Sequence, residues 1–209
     1  YFYLRASTLA RIRETAKYNF EFSLMLNAKD CEPSGIRSLL AGCSEFIGMI
    51  RLAVDPDKLQ HGLSIARAVK ECGYTVAINL MYLHKFNIDR QRSLFDELTY
   101  HNGVIDYLYF VDSFGSCFPS EVASVVANAK SKLKCKIGFH GHDNIELAFA
   151  NSLAAIEAGA DIIDSTMLGL GRGAGNLRTE LATAYASKQQ GQQQDIFQLT
   201  RFLQVWKEF

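Results

Sequence analysis

The stretch Cys135-Lys136-Ile137-Gly138-Phe139-His140-Gly141-His142 is a short apolar run followed by two histidines that one glycine separates. The length and composition of residues 135–139 predict a buried strand. Because side chains alternate along a strand, both imidazoles would leave the backbone on one face, and the glycine would let another group approach closely. Imidazole nitrogen is a common ligand of zinc, manganese and iron. The motif therefore predicts half of a metal site, and the alternative is a pair of hydrogen-bonded histidines at a strand end.

Similar apolar clusters recur along the chain and alternate with helical patterns. Predicted strands cover residues 20–26, 46–54, 74–81, 104–111, 135–139 and 161–165, and predicted helices cover residues 33–40, 56–72, 89–99, 119–133 and 145–158. Prolines lie near three of the predicted helix starts, and glycines follow two of the predicted helices. These are the positions at which proline and glycine are favoured. Strands that alternate with helices predict parallel strands with right-handed crossovers, in either a doubly wound sheet or a (β/α) barrel.

Polar residues follow most of the predicted strands. In both architectures the chemistry takes place at the carboxyl ends of the strands. The residues found at these ends are Asn27, Asp30, Asn79, Asp112, Ser113, His140, His142, Ser165 and Thr166. Arg51 differs from them because it lies inside a predicted strand. A buried guanidinium needs a partner, so Arg51 is either half of an ion pair or an anion-binding group.

Composition and charge exclude several classes of protein. Lys and Arg number 22 and so do Asp and Glu, so the zero net charge offers no general footprint for nucleic acid. Five cysteines without a C-x-x-C pair indicate reduced thiols rather than a disulfide framework. No apolar stretch approaches the roughly 20 residues that span a bilayer, and the first residues lack a signal-peptide pattern. We therefore expect a cytoplasmic protein without a membrane partner.

The segment Gly169-Leu170-Gly171-Arg172-Gly173-Ala174-Gly175-Asn176, here called the glycine loop, follows the last predicted strand. Its start matches the dinucleotide fingerprint G-x-G-x-x-A, but that motif belongs after the first strand of a βαβ unit and requires an acidic residue at the end of the second strand. The acid at a comparable distance, Asp195, lies in a glutamine-rich segment. Alternate glycines instead favour main-chain groups that crowd a ligand or a metal.

Several motifs in this order resemble a known family. They are Val111-Asp112-Ser113-Phe114-Gly115 with Pro119, Gly138-Phe139-His140-Gly141-His142-Asp143-Asn144, Ala150-Asn151-Ser152, Gly159-Ala160-Asp161-Ile162-Ile163-Asp164 and the glycine loop. Together they resemble the HMG-CoA-lyase-like metal-dependent TIM barrels, the pyruvate carboxyltransferase domain family. That family includes 4-hydroxy-2-oxovalerate aldolase, isopropylmalate synthase and HMG-CoA lyase. The resemblance extends to about residue 186 and is strongest to the aldolase branch.

The resemblance implies an α/β fold of the (β/α)8 TIM-barrel type. Six strand-helix units can be counted, so we expect this chain to lack the first two units of the barrel. Residues 1–17 are expected to form a helix. We expect residues 1–186 to form a partial catalytic barrel, and residues 187–209 to form a polar loop, up to residue 195, followed by an amphipathic helix.

The resemblance also implies a metal site. It assigns His140 and His142 as ligands of a divalent cation, with Mn²⁺ favoured over Mg²⁺ or Zn²⁺, and Asn176 as a further ligand. The family's third ligand, an aspartate in an Arg-Asp pair on the first barrel strand, has no counterpart in this chain. The segment Leu4-Arg5-Ala6-Ser7 lacks the aspartate and lies too close to the first predicted strand.

The implied function is a metal-dependent aldolase, a lyase that acts on a small 4-hydroxy-2-oxo acid through a pyruvate enolate. Arg51 would receive the substrate carboxylate, and Asp112 would orient a histidine, bind substrate or cap its own loop. Asn79, His84 and Arg172 are weaker candidates. Two alternatives remain: an acyl-CoA condensing synthase of the isopropylmalate synthase type, and a catalytically degenerate binding module. A homo-oligomer is also open.

Overall fold

The computed structural model describes residues 6–15 and 20–191, in which strands and helices alternate as predicted. The strands are β1 Phe22–Asn27, β2 Ile47–Val54, β3 Thr75–Leu80, β4 Tyr107–Asp112, β5 Lys136–Gly141 and β6 Ile162–Ile163. The helices are α1 Ala6–Thr15, α2 Ile36–Leu39, α3 Leu59–Glu71, α4 Ile88–Tyr100, α5 Pro119–Lys132, α6 Ala148–Glu157 and α7 Thr179–Gln189. None of these helices has the length and apolar character of a membrane span.

The six strands form one parallel sheet in the order β1-β2-β3-β4-β5-β6. A doubly wound sheet would reverse its strand order at a switch point, whereas the wall of a barrel follows the chain. The sequential order therefore favours the barrel alternative. It brings the carboxyl ends of all six strands to one edge, where the predicted site residues lie.

The two faces of the sheet differ in chemistry because side chains alternate along each strand. On one face, large apolar side chains such as Leu52, Ile78, Phe110 and Phe139 are fully buried in the core that the helices cover. The opposite face, here called the inner face, carries polar and aromatic groups. They are Arg51, Asn79, Tyr109 and His140, which alternate in sequence with the buried apolar set.

The elements begin and end close to the predicted positions. Gly73 and Gly159 have φ angles of 89° and 96°, the left-handed conformation expected directly after a helix. Helix α6 begins three residues later than predicted, because Glu146 is left-handed and the Asp143 carboxylate accepts a hydrogen bond from the backbone of Ala148.

Helix α7 continues to Gln189, so residues 187–189 are helical rather than part of the predicted polar loop. The amphipathic helix predicted for residues 196–209 lies outside the described residues, as do residues 1–5 and 16–17 of the predicted N-terminal helix.

Candidate metal centre

The two histidines of the H-x-H motif lie together at the carboxyl end of β5. Their ring centroids are 5.1 Å apart with an interplanar angle of 72°. Both side chains are partly buried, and their two-residue spacing places them on the same face of the strand. The structure therefore brings the two imidazoles close enough to bind one metal ion together.

Asp164, directly after β6, orients the first of these imidazoles. His140 Nδ1 lies 2.9 Å from Asp164 Oδ2, so Nε2 has no hydrogen-bond partner among the described residues. A carboxylate on one ring nitrogen is the usual support for an imidazole whose other nitrogen binds a metal. Burial raises the pKa of Asp164, but hydrogen bonds from His140 and Arg51 outweigh it and hold that pKa below its ordinary value.

Arg51 is the second partner of Asp164. Its two terminal nitrogens lie 3.0 Å and 2.5 Å from the two carboxylate oxygens. Its Nε donates to Asn79 Oδ1 at 3.1 Å. Its guanidinium carbon lies 4.0 Å from the centroid of the Tyr109 ring. This is the ion-pair alternative for Arg51. Both terminal nitrogens of Arg51 already donate to Asp164. Arg51 therefore holds this carboxylate in place and does not present a free anion-binding group.

The glycine loop places Asn176 beside His142. These two residues form an antiparallel bridge, and bridged partners present their side chains on the same side. Gly175 has a φ of 103°, and a Cβ there would lie 2.2 Å from the carbonyl oxygen of Gly169, so only glycine allows the loop to close. The spacing of glycines in this loop is thus a requirement of the turn that presents Asn176.

The side chain of Asn176 has an unsatisfied acceptor. Its Nδ2 donates to the carbonyl of Leu170 at 2.9 Å, which leaves Oδ1 buried without a hydrogen-bond partner in the described structure. A buried acceptor of this kind costs free energy unless something binds it. An amide oxygen is a suitable ligand for a divalent cation.

The donor set fits a divalent cation. The pKa of His142 lies below its ordinary value, first because the ring is partly buried and second because His140 is close by. The hydrogen bond with the backbone of Gly175 raises this pKa, but by less. A neutral imidazole is the form that binds a metal. The two imidazoles and the residue that carries the unsatisfied amide oxygen are thus neighbours, and no group of three His, Cys, Asp or Glu side chains in residues 6–15 and 20–191 is arranged to hold a metal.

Asp112 is fully buried and caps its own loop. Its two carboxylate oxygens accept hydrogen bonds from the backbone of Ser116 and Cys117, each at 3.0 Å. This is the loop-capping alternative for Asp112. The capped loop still matters to the site, because a Cβ on Gly115 would lie 2.7 Å from the carbonyl oxygen of His142.

The weaker candidates separate into three locations. Asn79 holds Arg51 on the inner face. His84 packs against the ring of Phe114, with centroids 5.0 Å apart. Arg172 lies in the glycine loop near His142, whose pKa its charge helps to lower. Asn79 is thus linked to the hydrogen bonds of Asp164 through Arg51, and Arg172 is linked to His142 by its charge.

Sequence reasoning missed Asp164 and Tyr109 as parts of the site. Asp164 ends one of the motifs quoted above and lies at the carboxyl end of the last strand, and this position could have identified it as a site residue. Tyr109 alternates with buried apolar residues in β4, so nothing in the pattern marked it. Burial raises the pKa of Tyr109 to about 12, so this phenol stays protonated beneath Arg51.

Sequence comparisons relate this chain to known proteins. The family model described as HMGL-like matches residues 16–206. A protein named 4-hydroxy-2-oxovalerate aldolase from Geobacillus thermodenitrificans is 36% identical over 152 residues, which cover 71% of this chain and 43% of that relative. A protein of the same name from Thermomicrobium roseum is 49% identical over 83 residues, or 40% of this chain and 23% of that relative. The chain thus spans less than half the length of these curated relatives.

Solved structures show the same fold. The crystal structure of the N-terminal domain of a candidate aldolase from Bacteroides vulgatus superimposes with a TM-score of 0.88 at 33% identity, covering 99% of this chain and 68% of that chain. The carboxyl transferase domain of Rhizobium etli pyruvate carboxylase matches with a TM-score of 0.74 at 20% identity, covering 86% and 32% respectively. At that identity the second match supports the fold alone.

Proposed function

Because the chain belongs to the HMGL-like family, we propose that it carries out divalent-metal-dependent aldol chemistry, cleaving or forming the C–C bond of a 4-hydroxy-2-oxo acid. The relatives named 4-hydroxy-2-oxovalerate aldolase support this substrate class. One observation carries the proposal. Two imidazoles lie side by side at the carboxyl end of β5, and Asn176, whose amide oxygen is unsatisfied, is bridged to one of them, at the edge where barrels of this type perform their chemistry.

Three side chains would hold the cation: His140 through Nε2, His142 through its ring, and Asn176 through Oδ1. Mn²⁺ is the first metal to test, with Mg²⁺ and Zn²⁺ as the alternatives. When bound, the cation would act as a Lewis acid on the 2-oxo group of the substrate.

The residues around this centre act by positioning. Asp164 keeps the proton of His140 on Nδ1 and so keeps Nε2 available as an acceptor. Arg51 holds Asp164, and Asn79 holds Arg51, so a chain of hydrogen bonds fixes the imidazole from the inner face. Asp112 caps the loop whose Gly115 packs against the backbone of His142.

The test is turnover by the full chain. We expect Mn²⁺-dependent release of pyruvate from 4-hydroxy-2-oxopentanoate, followed by coupling to lactate dehydrogenase and NADH oxidation. The test variant is His142→Ala, which should lose the activity while keeping the fold. Turnover that survives both EDTA and His142→Ala would contradict the proposal, as would release of free CoA from acetyl-CoA and a 2-oxo acid in a thiol assay.

A further inference from the structure

A cavity of about 240 Å³ opens at the carboxyl ends of β1, β2 and β3, and basic residues line it. Lys29 lies just beyond β1, Lys58 lies just before α3, and Arg172 reaches it from the glycine loop. We call this the basic cavity. Three cationic side chains from distant parts of the sequence thus surround one concavity at the functional edge of the sheet.

The three cations are unpaired in the part of the chain that the structure describes. Five of the other basic side chains there form ion pairs with carboxylates: Arg51, Lys70, Arg90, Arg92 and Lys130. One acid, Asp55, lines the basic cavity, and one of its oxygens accepts a hydrogen bond from the backbone of Asp57. Three positive charges against one negative charge leave the basic cavity electropositive, and concave walls concentrate such a field.

Neutral groups complete the lining. His61 Nε2 lies 3.1 Å from the carbonyl of Ala28 and 3.2 Å from that of Cys31, which ties the segment that carries Lys29 to α3. Asn27 adds an exposed amide, a hydrogen-bond donor without charge. The walls are therefore held in place by α3 while the charged ends stay accessible.

The basic cavity and the candidate metal centre share the glycine loop. Arg172 belongs to the same loop that presents Asn176, so one loop lines both places. Across the sheet, Ala53 pairs with Asn27 on one side and with Asn79 on the other. Ala53 lines the basic cavity with only a methyl group. A substrate held at the histidines could thus extend its far end toward the two lysines.

We propose that the basic cavity binds a carboxylate or phosphate group at the far end of the substrate, so that the substrate is a 4-hydroxy-2-oxo acid with a second acidic group. This inference rests on the proposed function for the reacting end of that molecule. Lys and Arg form charge-assisted hydrogen bonds with a terminal anion, whereas a terminal methyl group would gain nothing from three cations. The aldehyde that is released would therefore carry the acidic group.

The first experiment tests the anion site without metal or turnover. Inorganic phosphate and malonate are titrated into the metal-free full chain by calorimetry, with Lys58→Met and Arg172→Met as test variants. Lys134→Met is the matched control, because this exposed lysine precedes β5 at the opposite edge of the sheet. Each test variant should weaken binding about fivefold, as expected for one partly exposed charged hydrogen bond, and the control should not. Equal affinities in all four proteins would overturn the proposal.

The second experiment tests whether the anion belongs to the substrate or is a free ion. With Mn²⁺ bound, kcat/KM is compared for 4-hydroxy-2-oxopentanoate and for a 4-hydroxy-2-oxo acid with a terminal carboxylate. We expect a preference for the diacid that falls about fivefold in Lys58→Met and stays unchanged in Lys134→Met. Equal kcat/KM for both compounds would overturn the substrate assignment. Malonate binding at the basic cavity without turnover of either compound would contradict the proposed function and support the anion site.

Discussion

Replacing Asp164 by asparagine tests the hydrogen-bond chain beneath the histidines. This carboxylate accepts two hydrogen bonds from Arg51 and one from His140 Nδ1. Asparagine keeps the shape of the side chain but removes its charge and one of its two acceptor oxygens. After the change Arg51 keeps its charge in a mostly buried position without a counter-ion, and the tautomer of His140 is no longer fixed.

The magnitude follows from burial. The side chains of Arg51 and Asp164 are 13% and 18% exposed, so the pair is largely removed from water. Removal of one partner from a buried ion pair costs about 3–5 kcal/mol, and the remaining exposure and the retained shape place the expected loss near 3 kcal/mol. Loss of the carboxylate that supports a metal-binding imidazole weakens metal affinity about 10- to 100-fold. Both effects should appear together.

Urea unfolding gives the stability and Mn²⁺ titration gives the affinity. The control is Asp89→Asn, whose ion pair with Arg92 is 3.7 Å long and whose side chain is 90% exposed, so neither quantity should change. The double variant Arg51→Met with Asp164→Asn should recover part of the lost stability, because it removes the unpaired charge. If Asp164→Asn matched the control in both measurements, the proposed support of His140 would be refuted.

Three further predictions concern the loop and the thiols. Asn176→Ala should raise the Mn²⁺ dissociation constant at least about tenfold, because it removes a proposed metal ligand, and should cost about 1 kcal/mol in urea unfolding, because loss of the hydrogen bond to the Leu170 carbonyl outweighs relief of the unsatisfied oxygen. Gly175→Ala should destabilise by at least about 2 kcal/mol more than Gly42→Ala, because both residues have positive φ but only the first meets a backbone oxygen at 2.2 Å; equal losses would argue against the tight turn. Burial raises the pKa of Cys135 to about 11, so iodoacetamide at about pH 8 should alkylate it over about a hundredfold more slowly in the native chain than in urea, as read by mass spectrometry; similar rates would contradict its burial.

The strands and the histidine pair could be predicted because they depend on local periodicity. Alternating strands and helices indicated a parallel sheet, and the i, i+2 spacing indicated that His140 and His142 share a face. Both inferences need only the repeat of a strand or a helix and the residue types along it. The cytoplasmic location and the homo-oligomer stay predictions.

The partners of the site residues could not be predicted in the same way. The sequence indicated that Arg51 needed a carboxylate, but Asp164 lies 113 residues away, and the pairing depends on how six strands align. For Asp112 the deciding factor was local. The turn after β4 points the amides of Ser116 and Cys117 at the carboxylate, and side-chain identity alone does not reveal such a turn.

The central claim is that two imidazoles hold one cation, and pulsed electron paramagnetic resonance of Mn²⁺ bound to the full chain tests it most directly. The account predicts coupling of the electron spin to two histidine nitrogens in the native chain and to one in His142→Ala. A bound Mn²⁺ without nitrogen coupling, or with the same coupling in both proteins, would contradict it.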